Sequence, residues 1–215
     1  MRPGYTLKNI LCTICLSLVV LFSGGCFGPS QPRPSTSFYT LDYDIPQPNN
    51  LPLLPVHLRV GKFSVSPNYN STRMYYGEDE FTRNSYEYHQ WRANPADLVS
   101  FFLTRDLRES TLFQGVFGYE IRVKPTHTVE GVVSQFYEKD TAKNWQAILD
   151  VNITLIANNS NNMNETILFQ KSYTAAKTCA RKNPASFVEA MSSAMREISE
   201  QISMDIYNTI VPRNP

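Results

Sequence analysis

Residues 145–157 read Trp145-Gln146-Ala147-Ile148-Leu149-Asp150-Val151-Asn152-Ile153-Thr154-Leu155-Ile156-Ala157. Ala147, Leu149, Val151, Ile153, Leu155 and Ala157 recur at every second position. Mostly polar residues fill the gaps, apart from Ile148 and Ile156. A period of two sustained over this length predicts a strand with one face in a core. Upstream, residues 128–137 have the composition of a partner strand, joined through the polar turn Lys139-Asp140-Thr141. Downstream, an Asn-rich loop over 158–164 leads to a further strand over 166–174. Strands following one another across polar turns predict an antiparallel sheet.

Two helices complete the layer. One is expected to open at Asn94-Pro95-Ala96-Asp97 and run to about Leu112, the other to open at Asn183-Pro184-Ala185-Ser186 and run to about Ile210. In both, Asn can cap the exposed amides, and Pro at the first helical position loses nothing by lacking a donor. Phe187, Met191, Met195, Ile198, Ile202 and Ile206 form a stripe on the second helix, with Glu189, Ser193, Arg196, Glu200 and Ser203 opposite it. The first helix is more apolar in its opening turns, with Leu98, Val99, Phe101, Phe102 and Leu103, and should lie deeper.

Earlier strands are expected over 38–43 and 56–66. In the second of these the apolar phase slips at Gly61-Lys62, which suits a β-bulge. Residues 73–76 and 86–91 read as a hairpin closed by the acidic turn Glu78-Asp79-Glu80. The order strands, helix, strands, helix predicts an α+β class: a mostly antiparallel β-sheet with two α-helices packed on one face.

The N-terminus has a different character. Arg2 and Lys8 precede 13 mostly apolar residues from Ile10 to Phe22, then Ser23-Gly24-Gly25-Cys26. That core suits a secretory signal and is too short to span a bilayer as a helix. Small residues followed by Cys resemble the bacterial lipobox, in which the thiol is acylated and becomes the new N-terminus. Ser23 stands where the pattern usually has a branched aliphatic residue. In an ordinary secretory signal cleaved near Gly25, Cys26 would be incidental. The agreement of basic start, apolar core, small pair and Cys favours lipidation of Cys26. Two or three acyl chains anchor stably, at ~0.8 kcal/mol per buried methylene. Phe27, rather than the Asp typical of inner-membrane retention, favours the outer membrane. The expected organisation is a lipoprotein signal peptide over 1–25, a lipidated Cys with a Pro/Ser-rich tether over 26–37, and one α+β domain over 38–215. Pro, Ser and Gln over 27–37 cannot build a core, and seven of the 14 prolines lie between Pro29 and Pro55, so ordered structure should mostly begin after that stretch.

Composition narrows the function. Loss of residues 1–25 removes Arg2 and Lys8 from the 20 basic residues and nothing from the 19 acidic ones, leaving a net charge of −1. Nucleic acid is not an expected partner, since it demands a basic face. Of four cysteines, Cys12 and Cys15 leave with the signal and Cys26 is acylated. Cys179 then has no partner for a disulfide and reads as a buried or loop thiol. His57, His89 and His127 have no Cys or His at metal-ligand spacing, and no P-loop, nucleophile elbow or dinucleotide fingerprint occurs. His89 with Asp97 and Ser100 matches no nucleophilic template. The chain reads as non-enzymatic, with no cofactor and no metal.

The aromatic hairpin is the better pointer to partners. Tyr75, Tyr76, Phe81, Tyr86, Tyr88 and Trp91 fall within 17 residues. Tyr suits surfaces that are part apolar and part wet. Tyr86 and Tyr88 should share a strand face, and Trp91, of the other parity, should be buried beneath the first helix. Tyr75, Tyr76, Tyr86 and Tyr88 are the candidate partner-binding residues. The plainer alternative is that one hairpin face is core and the other ordinary strand surface.

Phe38-Tyr39-Thr40-Leu41 behind a lipobox, then Pro67-x-Tyr69, Arg73-Met74, Tyr88-x-x-Trp91, Asn94-Pro95 and an apolar helix ending in Leu112-Phe113 resemble the ABC-type transport auxiliary lipoprotein family, of the paraquat-inducible protein C type. Family members usually carry Arg before the Trp. Here Gln90 stands in that place and Arg92 follows, so the resemblance carries over no ion pair at that position. The resemblance implies an outer-membrane lipoprotein facing the periplasm. Such a protein would act as a docking subunit for the periplasmic MCE-domain protein of an ABC-type lipid transport system. It implies no catalytic residues. A periplasmic lipid-binding carrier that accepts phospholipid, and a structural lipoprotein assisting another envelope complex, are the alternatives. A homo-oligomer is compatible with either.

Overall fold

The computed structural model describes residues 35–47, 51–79, 81–158 and 167–211. Cys26, tether residues 26–34, Glu80 and loop residues 159–164 lie outside them. In chain order the elements are β1 (Ser37–Tyr39), β2 (Leu54–Val60), β3 (Ser64–Val65), a 3₁₀ turn (Pro67–Tyr69), β4 (Arg73–Gly77), β5 (Asn84–Trp91) and helix α1 (Pro95–Glu109). They continue with β6 (Phe113–Phe117), β7 (His127–Asp140), β8 (Trp145–Ala157), β9 (Ile167–Thr178) and helix α2 (Pro184–Ile210).

The α+β class holds, and the stretch with the clearest alternation is β8 to the residue. Ala147, Leu149, Val151, Ile153 and Leu155 are all buried in the main core. β8 pairs antiparallel with β7 along its whole length and with β9 on its other side. The opposite edge of β7 is shared. β2 takes its start (Leu58↔His127), β3 its middle (Ser64↔Val132) and β4 its end (Tyr76↔Glu138), all parallel. β6 then flanks β2 in parallel, β5 flanks β4 antiparallel, and β1 flanks β5 in parallel. The sheet is therefore mixed: its longest ladders are antiparallel as expected, while both arms beyond β7 contain parallel pairs that turn chemistry alone does not specify. β6 was not anticipated, and the strand expected over 38–43 is confined to Ser37–Tyr39.

The phase slip at Gly61-Lys62 is a complete interruption between β2 and β3. Leu58 and Val60 point into the core before it and Phe63 after it. Phe63 lies across Gly131 of β7, where a Cβ would collide with its ring.

Both helices begin as their caps dictate. The Asn94 side chain accepts from the Ala96 amide at 3.0 Å, and the Asn183 side chain accepts from the Ser186 amide at 2.9 Å. The α2 stripe from Phe187 to Ile206 is fully buried. Ser203, expected on the wet side, is buried too and donates to the Ser199 carbonyl. α1 buries Leu98, Val99, Phe102, Leu103 and Leu107, but Phe101 is exposed. The two helices share the core formed by one face of the sheet. On the other face a small cluster of Tyr69, Tyr137 and Ile148 forms under the 3₁₀ turn, which accounts for the apolar residue at 148 among polar neighbours. Among the described residues no helix is long and apolar enough to cross a membrane.

Candidate functional site

The four candidate tyrosines do not form one surface. Tyr75 bonds to Ser71 at 2.9 Å and meets the Tyr69 ring edge-on at 5.8 Å, so it belongs to the cluster under the 3₁₀ turn. Tyr76 and Tyr86 lie against each other with ring centres 4.9 Å apart, and both are half-buried. Tyr88 is exposed. Tyr86 and Tyr88, expected to share a strand face, differ in burial, and β5 bulges between Ser85 and Gln90. Arg73 pairs with Gln90 and Tyr75 with Ser85, so two steps along β4 span five along β5. Trp91 is buried as expected, in the core it shares with the first helix, and its nearest rings are Phe136 of β7 and Phe187 of α2, at 5.1 and 5.7 Å.

Tyr86 has a specific internal partner. Its hydroxyl lies 3.0 Å from both carboxylate oxygens of Glu138, which is fully buried in β7. Burial raises the Glu138 pKa to about 7, partly offset by the Tyr86 hydrogen bond. The same burial and the facing carboxylate hold the Tyr86 phenol well above its ordinary range.

The remaining chemical candidates stay apart. His89 is within 3.1 Å of the Tyr39 hydroxyl, whereas Ser100 donates to the Asp97 backbone carbonyl. Cys179 is buried, and burial together with the Glu138 charge pushes its thiol up to about 11, away from the thiolate that reactivity needs. Among the described residues no cluster of three or more His, Cys, Asp or Glu is arranged to hold a metal ion.

A groove of about 730 Å³ lies where the two arms of the sheet converge on α1. β5 runs opposite to β4, and β4 and β2 both run with β7, so the ends of β5 and β2 approach from opposite directions. Thr40, just past β1, lines the groove with Gly61 and Lys62 after β2 and Arg92 after β5. The turn after β6 (Gly118, Tyr119, Glu120 and Ile121) and the outward side of α1 close it. Arg105 is fixed in its wall. The guanidinium pairs with buried Asp106 at 2.7 Å and lies 4.4 Å over the Tyr43 ring and 4.7 Å over the Phe102 ring. Tyr43 donates to the other Asp106 oxygen at 2.7 Å. Arg108 donates to the Val116 carbonyl at 3.3 Å, which ties α1 to β6.

Sequence reading missed this groove because its parts come from five separated segments. One sign was legible. Phe101 occupies the helical face of Asp97, Arg105 and Arg108, so an aromatic ring interrupts an otherwise polar stripe.

The model of the ABC-type transport auxiliary lipoprotein component family matches residues 39–203. No curated protein matches the chain. Among solved structures, a Xanthomonas campestris protein superposes with a TM-score of 0.72 at 14% identity, covering 80% of this chain and 96% of its own. An uncharacterized protein gives 0.63 at 12% identity over 80% and 99%. A hypothetical protein from Chlamydia trachomatis gives 0.50 at 9% over 74% and 99%. At these identities the likeness is one of fold.

Proposed function

The chain belongs to the ABC-type transport auxiliary lipoprotein family, and from that premise we propose that it is a non-enzymatic docking subunit. Acyl chains on Cys26 hold it to the outer membrane with the folded part in the periplasm. There it engages the MCE-domain protein of an ABC-type lipid transport system. The observation that carries this reading is the family match over residues 39–203, behind a signal-like segment that ends in Gly24-Gly25-Cys26. The family is one of auxiliary lipoprotein components of ABC-type transport, which supports a partner-binding role over a catalytic one. If the 10 residues from 27 to 36, before β1, were extended, they would reach roughly 33 Å. That is enough for the folded part to meet a partner away from the lipid surface.

In-envelope crosslinking followed by affinity recovery of the full chain tests the reading. Recovery of an MCE-domain protein is the expected result. Recovery of phospholipid in stoichiometric amount and no protein would replace docking with the carrier reading.

A further inference from the structure

We propose that the groove between α1 and the Gly118–Ile121 turn receives an extended segment of a partner protein, one that carries acidic residues between apolar or aromatic ones. The inference rests on the docking reading and assigns its contact site.

Phe101 is 66% exposed, Tyr119 45% and Ile121 44%. Single exposed apolar side chains are ordinary, but these three line one groove. The same groove carries Lys62, Arg92, Arg105 and Arg108 against Asp97 and Glu120. The chain as a whole has a net charge of only +1. Lys62, Arg92 and Arg108 make no ion pair among the described residues. Exposed aromatics beside arginines are the composition of protein-binding hot spots, and unpaired rim cations favour an acidic partner.

The shape selects a chain over a compact anion. Asp97, Phe101, Arg105 and Arg108 follow one another along a single helical face, a span of ~16 Å at 1.5 Å per residue. About five residues of extended chain cover that length. Three of the cations are also tied to different partners. Arg105 is pinned by Asp106, Arg108 is tied to the Val116 carbonyl, and the Lys62 ammonium lies 5.9 Å over the Tyr119 ring. A phosphate group would need them to converge.

The test places p-benzoylphenylalanine at Phe101 or at Tyr88 in the full chain and irradiates intact envelopes. The expected result is an adduct from position 101 that maps by mass spectrometry to an acidic segment of another protein. Its yield should fall about tenfold in a Lys62→Glu, Arg92→Glu double variant and return in Lys62→Arg, Arg92→Lys. Thermal melts of the charge variants check that the fold is retained, and the adduct on the otherwise native chain tests the site independently of them. A protein adduct from position 88 alone would overturn the groove assignment and leave docking standing. Protein adducts from neither position would overturn both. An adduct to phospholipid or to a second copy of this chain, or one unaffected by charge reversal, would overturn the inference.

Discussion

The Tyr86 hydroxyl is hydrogen-bonded to the Glu138 carboxylate at 3.0 Å, linking the hairpin arm of the sheet to the far end of its longest strand. The carboxylate is fully buried, and desolvation raises its pKa to about 7 from an ordinary 4.5. The folded state therefore holds the Glu138 proton through a pH range in which the unfolded chain has lost it. Folding stability contributed by this group is full below about pH 4.5 and is lost as pH rises toward 7, a loss on the order of a few kcal/mol. Glu138→Gln should flatten that part of the profile and be more stable than the native chain at pH 8. Tyr86→Phe should cost about 1–3 kcal/mol at pH 8, because it leaves a buried charge without its donor. Urea melts between pH 4 and 8 measure both.

Phe63 packs over Gly131 with no room for a side chain between them. Gly131→Ala should therefore destabilise by about 1–3 kcal/mol, despite the general preference of strands for residues other than glycine. Adding Phe63→Leu should recover part of the loss, since the smaller side chain can yield. Thermal denaturation of the single and double variants checks the pairing.

The hairpin tyrosines should separate in two assays. Tyr88→Ala, at an exposed position, should leave stability within about 0.5 kcal/mol of the native chain. Tyr86→Ala removes the Glu138 partner and a ring packed on Tyr76, and should destabilise strongly. If Tyr88 contacts a partner, its variant weakens recovery of that partner while melting normally. Chemical denaturation read beside crosslinked recovery distinguishes the two residues.

Much of the fold was legible where one local rule governed each element. The alternation of residues 145–157 is β8, and the Asn-Pro pairs at 94–95 and 183–184 start both helices. The phase slip at 61–62 is a break in the strand. What local pattern cannot encode is which edge a strand joins. β2, β3 and β4 all share one edge of β7 in parallel because long-range packing places them there. The irregularity of β5 was hidden for a related reason: a bulge shifts the register between Ser85 and Gln90 without a glycine or proline to mark it. The groove was least legible, since Lys62, Arg92, Phe101 and Tyr119 meet only once both arms of the sheet are in place.

The proposed docking role requires Cys26 to be the membrane anchor. The decisive measurement is the mass of the mature N-terminal peptide, taken from native cell envelopes. It should begin at Cys26 and carry acyl chains on that residue, and Cys26→Ala should appear in the soluble periplasmic fraction with an unchanged melting profile. An N-terminal peptide with an unmodified Cys26 thiol, or membrane fractionation unaffected by Cys26→Ala, would contradict it.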